Sequence, residues 1–324
     1  MKSFRIFNFS LRVFSLVLML FLFQDCKNSN TVGQLLPTGE STLAVPGGNI
    51  WYKITGSGDG IPLVLLHGGP GSSSFCLKPF EEIGNERQVI RYDQLGAGKS
   101  DKISDTSMFT LDHFVQELEL LREHLGIKKW HIMGHSYGTI LAVEYYKIYP
   151  ERVASLSLAG AALNLPMWQE NARKLIGSLP APMQEAVQQA EATGNFNDSL
   201  YQAAMNQFTS SFVVHKPVMA DMDSTISTYN WDIYMYMQGS SEVNITGTLK
   251  DYDATPFLPQ IKVPTLFTVG ETDEAGPDLV KSFADLVPGS KYAVIPGAAH
   301  ITMWDAPEET IRIHREFLNE ADSK

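Results

Sequence analysis

Short apolar runs alternate with amphipathic stretches along much of the chain. Residues 41–45 and 49–54 are half-apolar and flank Pro46-Gly47-Gly48, which predicts an antiparallel hairpin. Residues 61–66 are apolar without a break, as in a strand covered on both faces of a sheet. Residues 88–93 predict another strand, ended by Gly96 and Gly98. Leu111, Phe114, Val115, Leu118, Leu121 and Leu125 recur at helical spacing, so 110–125 reads as an amphipathic helix with Thr110 as its cap. Residues 130–133 form a short strand, 139–146 a helix, and 153–158 a further strand. Strand and helix in alternation predict a parallel, twisted sheet with helices on both faces, an α/β fold.

The alternation stops near residue 161. Residues 161–255 are richer in Gln, Asn, Met and Ala, with helical stretches at 183–192 and 200–208. This reads as a helical lid inserted over the C-terminal edge of the sheet. Strands resume at 264–269 and 291–295, and a final helix covers 307–319. The core is therefore expected at 39–160 and 256–324, with the lid at 161–255.

The N-terminus breaks the pattern. Lys2, Arg5 and Arg12 precede an apolar run from Val13 to Phe23, broken only by Ser15. Spanning a bilayer takes roughly 20 such residues, so residues 1–26 fit an export signal better than a membrane helix. Cys26, followed by polar residues, resembles the lipidation site of a bacterial lipoprotein; an uncleaved anchor and ordinary cleavage are the alternatives. Residues 27–38 read as a polar linker. The expected location is outside the cytoplasm, either periplasmic or membrane-anchored.

Composition narrows the choice of partners. The net charge is −11, which argues against nucleic acid and anionic surfaces. The two cysteines, Cys26 and Cys76, give no disulfide framework, and no Cys/His spacing suits a metal. No cofactor or metal is implied.

The chemistry centres on Gly134-His135-Ser136-Tyr137-Gly138, a G-x-S-x-G pattern between a strand and a helix. That setting is what a nucleophile elbow requires. A serine hydroxyl needs a base, and the base needs an orienting carboxylate; on such a fold they follow in the order Ser, acid, His at later strand ends. Asp273 follows the strand at 264–269, and spacing favours it over Glu271, Glu274 and Asp278. His300 follows the strand at 291–295. His113, His124 and His314 lie on expected helices, His131 and His135 flank the elbow as packing residues, and His215 falls in the lid. The expected triad is Ser136, Asp273 and His300. An oxyanion needs preorganised donors. The backbone N–H of Tyr137, next after the nucleophile, is one. Gly69 in His67-Gly68-Gly69-Pro70-Gly71 is the other, since Pro70 has no N–H.

His67-Gly68-Gly69-Pro70-Gly71, Asp93-Gln94-Leu95-Gly96-Ala97-Gly98-Lys99-Ser100 and the elbow together resemble the proline iminopeptidases of the α/β-hydrolase superfamily, over residues 40–320. Gly270-Glu271-Thr272-Asp273-Glu274 and Asn244–Asp251 look more like the archaeal tricorn-interacting aminopeptidase branch, which releases N-terminal residues more broadly than proline. The resemblance implies a serine aminopeptidase acting on short peptides with a free N-terminus. It also implies that Glu242 and Glu274 bind the substrate's α-amino group, a role for which paired carboxylates are suited. An esterase, lactonase or amidase with the same triad is the alternative, and it would need neither acid. The aromatic and methionine stripe at 231–237 reads either as a side-chain pocket or as packing.

Overall fold

A computed structural model describes residues 35–217 and 220–323, with side chains described outside 218–223. The expected export segment, Cys26 and most of the linker lie outside the described residues. The linker's last residues are anchored: the Leu36 backbone N–H donates to Gln88 Oε1 at 2.8 Å, and Gln88 Nε2 donates back to the Leu36 carbonyl at 2.8 Å.

A seven-stranded sheet organises the chain, with strands β1 (Gly39–Val45), β2 (Gly48–Leu66), β3 (Arg87–Asp93), β4 (Trp130–His135), β5 (Val153–Ala159), β6 (Thr265–Gly270) and β7 (Lys291–Ile295). β1 pairs antiparallel with the start of β2 around the turn at Pro46-Gly47. From the end of β2 through β4, β5, β6 and β7 the pairing is parallel. The helices are α1 (Leu111–His124), α2 (Tyr137–Ile148), α3 (Leu165–Ile176), α4 (Ala181–Thr193), α5 (Ser199–Phe208), α6 (Ala220–Ser227), α7 (Trp231–Met237), α8 (Pro277–Leu286), α9 (Thr302–Asp305) and α10 (Pro307–Asp322). Thr110 caps α1, its hydroxyl accepting from the His113 N–H at 3.2 Å.

Two features differ from the sequence reading. The segments at 49–54 and 61–66 belong to one continuous extended strand. Trp51–Thr55 pairs with β3 in falling register and Leu63–Leu65 pairs with it in rising register, so both arms of β2 contact β3. Glycines permit this: a side chain at Gly56 would sit 2.4 Å from the Gly84 carbonyl oxygen, and one at Gly58 2.1 Å from the Glu86 carbonyl carbon. The second difference is a 3-10 segment, Ser74–Asn85, which buries Leu77, Phe80 and Ile83. Its three-residue repeat does not match the 3.6-residue period used to find helices.

The sheet separates two apolar layers. One packs Trp130, Ile132, Phe114, Leu118, Leu141 and Phe283 on one face. The other packs Phe80, Met133, Met303, Trp304 and Phe317 on the opposite face. The lid holds a small core of its own, in which Ala172, Ile176, Val187, Tyr201, Phe208 and Val243 meet.

Candidate active site

Ser136 lies in the turn between β4 and α2 with φ 55° and ψ −125°; among the described residues it is the only non-glycine with positive φ. Such a conformation costs about 1–3 kcal/mol and persists where neighbours enforce it. Here the Ser136 N–H donates to the Ala159 carbonyl at 2.9 Å, and the Ser136 carbonyl accepts from the Thr139 N–H at 2.8 Å and its hydroxyl at 2.7 Å. Both flanking glycines are sterically required. A Cβ at Gly134 would stand 2.3 Å from the Gly138 carbonyl oxygen, and one at Gly138 2.2 Å from that of Leu66.

Asp273 and His300 meet at the ends of β6 and β7. Asp273 Oδ1 lies 2.7 Å from His300 Nδ1, and both side chains are buried. The carboxylate also accepts from the Ala275 N–H at 2.8 Å and the Gly270 N–H at 3.2 Å. Burial pushes Asp273 towards the neutral form, but the imidazolium and these donors outweigh it, so its pKa ends below the usual range. Trp168 packs edge-on against His300, with centroids 5.7 Å apart. Gly160 borders the ring, where a Cβ would come within 2.5 Å of Cε1. His135 packs beside it, ring centroids 4.6 Å apart, and its Nε2–H donates to the His300 carbonyl at 3.0 Å. Burial, then the His300 charge, drops His135 to about 3, so it stays neutral. The packing role expected for His135 thus includes a hold on the His300 backbone.

His300 Nε2 is buried and makes no hydrogen bond among the described residues. It lies 3.8 Å from Glu274 Oε1, so the structure does not join it to the Ser136 hydroxyl. Burial alone would lower the His300 pKa, but Asp273, Glu274 and Glu242 together raise it to about 9. Glu274 is pushed well up by burial and by the negative charge of Glu242, against the pull of His300. Burial also raises Glu242, against a hydrogen bond from Tyr234 and the charge of His300. Tyr234 O–H donates to Glu242 Oε1 at 2.6 Å. Glu242, Tyr201, Tyr229, Trp231 and Tyr234 line a cavity of about 300 Å³. One imidazole therefore stands beside two acids, the buried Glu274 and the half-buried Glu242.

The expected oxyanion loop is held by the second glycine motif. The Gln94 N–H donates to His67 Nε2 at 3.1 Å, which leaves His67 Nδ1–H to donate to the Gly68 carbonyl at 2.9 Å. Asp93 Oδ1 accepts from the Ser74 N–H at 2.7 Å and Oδ2 from the Lys99 N–H at 2.8 Å. A Cβ at Gly98 would fall 2.1 Å from Asp93 Oδ2. Residues 93–100 thus form a turn that buttresses residues 67–71. Among the described residues neither the Gly69 N–H nor the Tyr137 N–H has an acceptor, which leaves both available to an oxyanion. A side chain at Gly68 would meet Ser136 Cβ at 2.9 Å, so this loop lies against the nucleophile.

Residues 61–307 match the family model described as the alpha/beta hydrolase fold. The proline iminopeptidase of Heyndrickxia coagulans is 37% identical over 283 residues, covering 86% of this chain and 98% of the relative. That of Saccharolobus solfataricus is 34% identical, covering 90% and 96%. The crystal structure of the Mycobacterium smegmatis proline iminopeptidase superposes with a TM-score of 0.82 at 28% identity, covering 88% of this chain and 99% of that one. The chain belongs to the proline iminopeptidase family.

Several residues around this family's site escaped the sequence reading. Tyr234 is one; its place eight residues before Glu242 in an aromatic stripe was the available signal. The stripe itself divides. Ile233 and Met237 enter the main core, whereas Trp231 and Tyr234 line the cavity beside Glu242. Asn171 Nδ2 donates to the Glu274 carbonyl at 2.8 Å, so α3 of the lid fixes the loop carrying Asp273 and Glu274. His215, placed in the lid by sequence, reaches Thr272 Oγ1 at 2.9 Å. Cys76 is a free, buried thiol, and the described residues hold no metal-binding cluster.

Proposed function

We propose that this protein is a serine aminopeptidase that removes the N-terminal residue, proline or another small neutral or apolar one, from short peptides. The observation that carries the reading is the pair of acids beside His300, the buried Glu274 and the half-buried Glu242. The substrate's α-ammonium enters beside Glu242 and Glu274 and replaces the imidazolium as their cationic partner. His300 then loses its excess attraction for a proton and becomes a base. Ser136 Oγ gives its proton to His300 Nε2 and bonds to the first carbonyl carbon, whose oxygen is received by the Gly69 and Tyr137 N–H groups. The C–N bond breaks, His300 returns the proton to the leaving amine, and water repeats the sequence on the acyl-enzyme. A peptide lacking a free amine neither fills the acid pair nor frees the base.

The test compares prolyl- and alanyl-arylamides with their N-acetylated forms. Acetylation is expected to suppress hydrolysis at least a hundredfold, a cost on the order of a lost charged hydrogen bond. Equal cleavage of both forms sinks the amine-anchor reading. The basic start and short apolar run support action outside the cytoplasm, with Cys26 as a lipid anchor. Mass analysis of the exported protein and membrane release of Cys26→Ser test that part; an unmodified Cys26 in a soluble fraction refutes the anchor.

A further inference from the structure

Tyr229 and Trp231 stack with centroids 4.5 Å apart and planes at 26°. This aromatic pair is a wall shared by two cavities. One is the 300 Å³ cavity that holds Glu242. The other, about 490 Å³, is lined by Lys102, Ile103, Ser104, Asn230 and Asp232 together with the same two rings. The second cavity has no part in holding the amine, yet it adjoins the catalytic loop. The Asn230 N–H donates to the Gly71 carbonyl at 2.8 Å, and a Cβ at Gly69 would lie 3.2 Å from the Tyr229 hydroxyl.

Lys102 is the cation of this cavity. Its ammonium donates to the Gly96 carbonyl at 3.2 Å and the Thr228 carbonyl at 3.1 Å. Those are two of its three N–H donors, and both acceptors are neutral. Among the described residues no carboxylate lies within ion-pair distance of it. Asp232 lines the same cavity but is exposed to solvent. Lys102 is likewise exposed to solvent, and partial burial lowers its pKa in spite of the attraction of Asp93, so its third N–H is open to an anion entering the cavity.

A peptide whose amine sits with Glu242 and whose first carbonyl sits at Ser136 sends the rest of its chain away from the acids. In a short peptide that remainder ends in a carboxylate. We propose that the Lys102 cavity receives the leaving-group end of the substrate and pairs its C-terminal carboxylate with the Lys102 ammonium. The proposal rests on the aminopeptidase reading and extends it. The enzyme recognises both termini, with acids at one end and a cation at the other, which selects peptides short enough to reach both.

The experiment measures kcat/KM for an alanyl tripeptide as its free acid, as its C-terminal amide, and as both N-acetylated counterparts. Wild-type enzyme is expected to favour the acid over the amide about tenfold, the scale of one charge-assisted hydrogen bond. Lys102→Met should bring that ratio near one, and Lys102→Arg should keep it. The ratio, unlike the absolute rate, is insensitive to any loosening of the lid caused by losing the bond to Thr228. A wild-type ratio near one, which needs no variant to observe, overturns the proposal, and so does an unchanged ratio in Lys102→Met. Cleavage indifferent to N-acetylation but still sensitive to the C-terminal charge overturns the amine reading and leaves the Lys102 pairing standing.

Discussion

Asp273 on the sheet and the acid pair that meets the lid are held in opposite ways. Asp273, at the end of β6, accepts from one imidazole and two backbone N–H groups. Glu242, in the lid, accepts from a single phenol, and the next residue after Asp273, Glu274, leaves Oε2 buried with no partner. Desolvation therefore has opposite outcomes: Asp273 stays charged while Glu242 and Glu274 are driven towards their neutral forms. A fully partnered carboxylate is preorganised for one task, orienting His300. An under-partnered pair waits for a cation to complete it, which suits recognition. Changes at Asp273 should therefore strike the chemical step, and changes at Glu242 or Glu274 should strike capture of the substrate.

The strongest challenge to this contrast is Ser136→Ala. It should lower kcat by about 10⁶-fold with an unchanged circular dichroism spectrum; retained turnover would mean that another nucleophile operates. Next comes Asp273→Asn, expected to cost about 10⁴-fold in kcat with little change in KM, because it disturbs the orientation and tautomer of His300. A loss appearing mainly in KM would erase the distinction between the two regions. Glu242→Gln should reduce kcat/KM for free-amine substrates by about 10- to 100-fold, chiefly through KM.

A subtler consequence concerns protons. His300 should titrate near 9 in the substrate-free Ser136→Ala protein, as followed by imidazole NMR. Glu274→Gln removes a negative charge that favours the imidazolium, so the titration should move down; an upward shift contradicts the assignment. The smallest expected effect is at the seam between the two regions. Asn164 caps α3, its Oδ1 accepting from the Met167 N–H at 2.9 Å. Asn164→Ala should cost about 1 kcal/mol in a denaturant melt.

The same division explains what could be read from residues alone. Strand ends carrying Ser136 and Asp273 were legible because buried strands leave apolar runs, and His300 because it follows a short β-rich stretch, Lys291–Ile295, although only Ile295 of that strand is buried. The lid's helices at 181–193 and 199–208 were also legible, being amphipathic. What the lid brings to the site was not. Period reports which face is buried, not which partner a buried phenol finds, so the aromatic stripe hinted at Tyr234 but not at its bond to Glu242. The Asn171 tie to the acid loop spans about a hundred positions of chain, a separation that no window detects. The D-Q-L-G-A-G-K-S motif was legible as a signature but not as a buttress, since its role lies in how Asp93 fits against Gly98 and Ser74.

Asn230 has a consequence for how far a change in the lid reaches. Its backbone N–H is bound to Gly71 and its side-chain amide donates to the Gly96 carbonyl at 2.9 Å, so one lid residue grips both glycine loops. Any opening that carries Asn230 outward must break those two bonds together. The lid is thus latched at Asn230 to the frame that carries Gly69. A substitution at Asn230 therefore reaches two glycine loops at once, although the residue itself belongs to the lid.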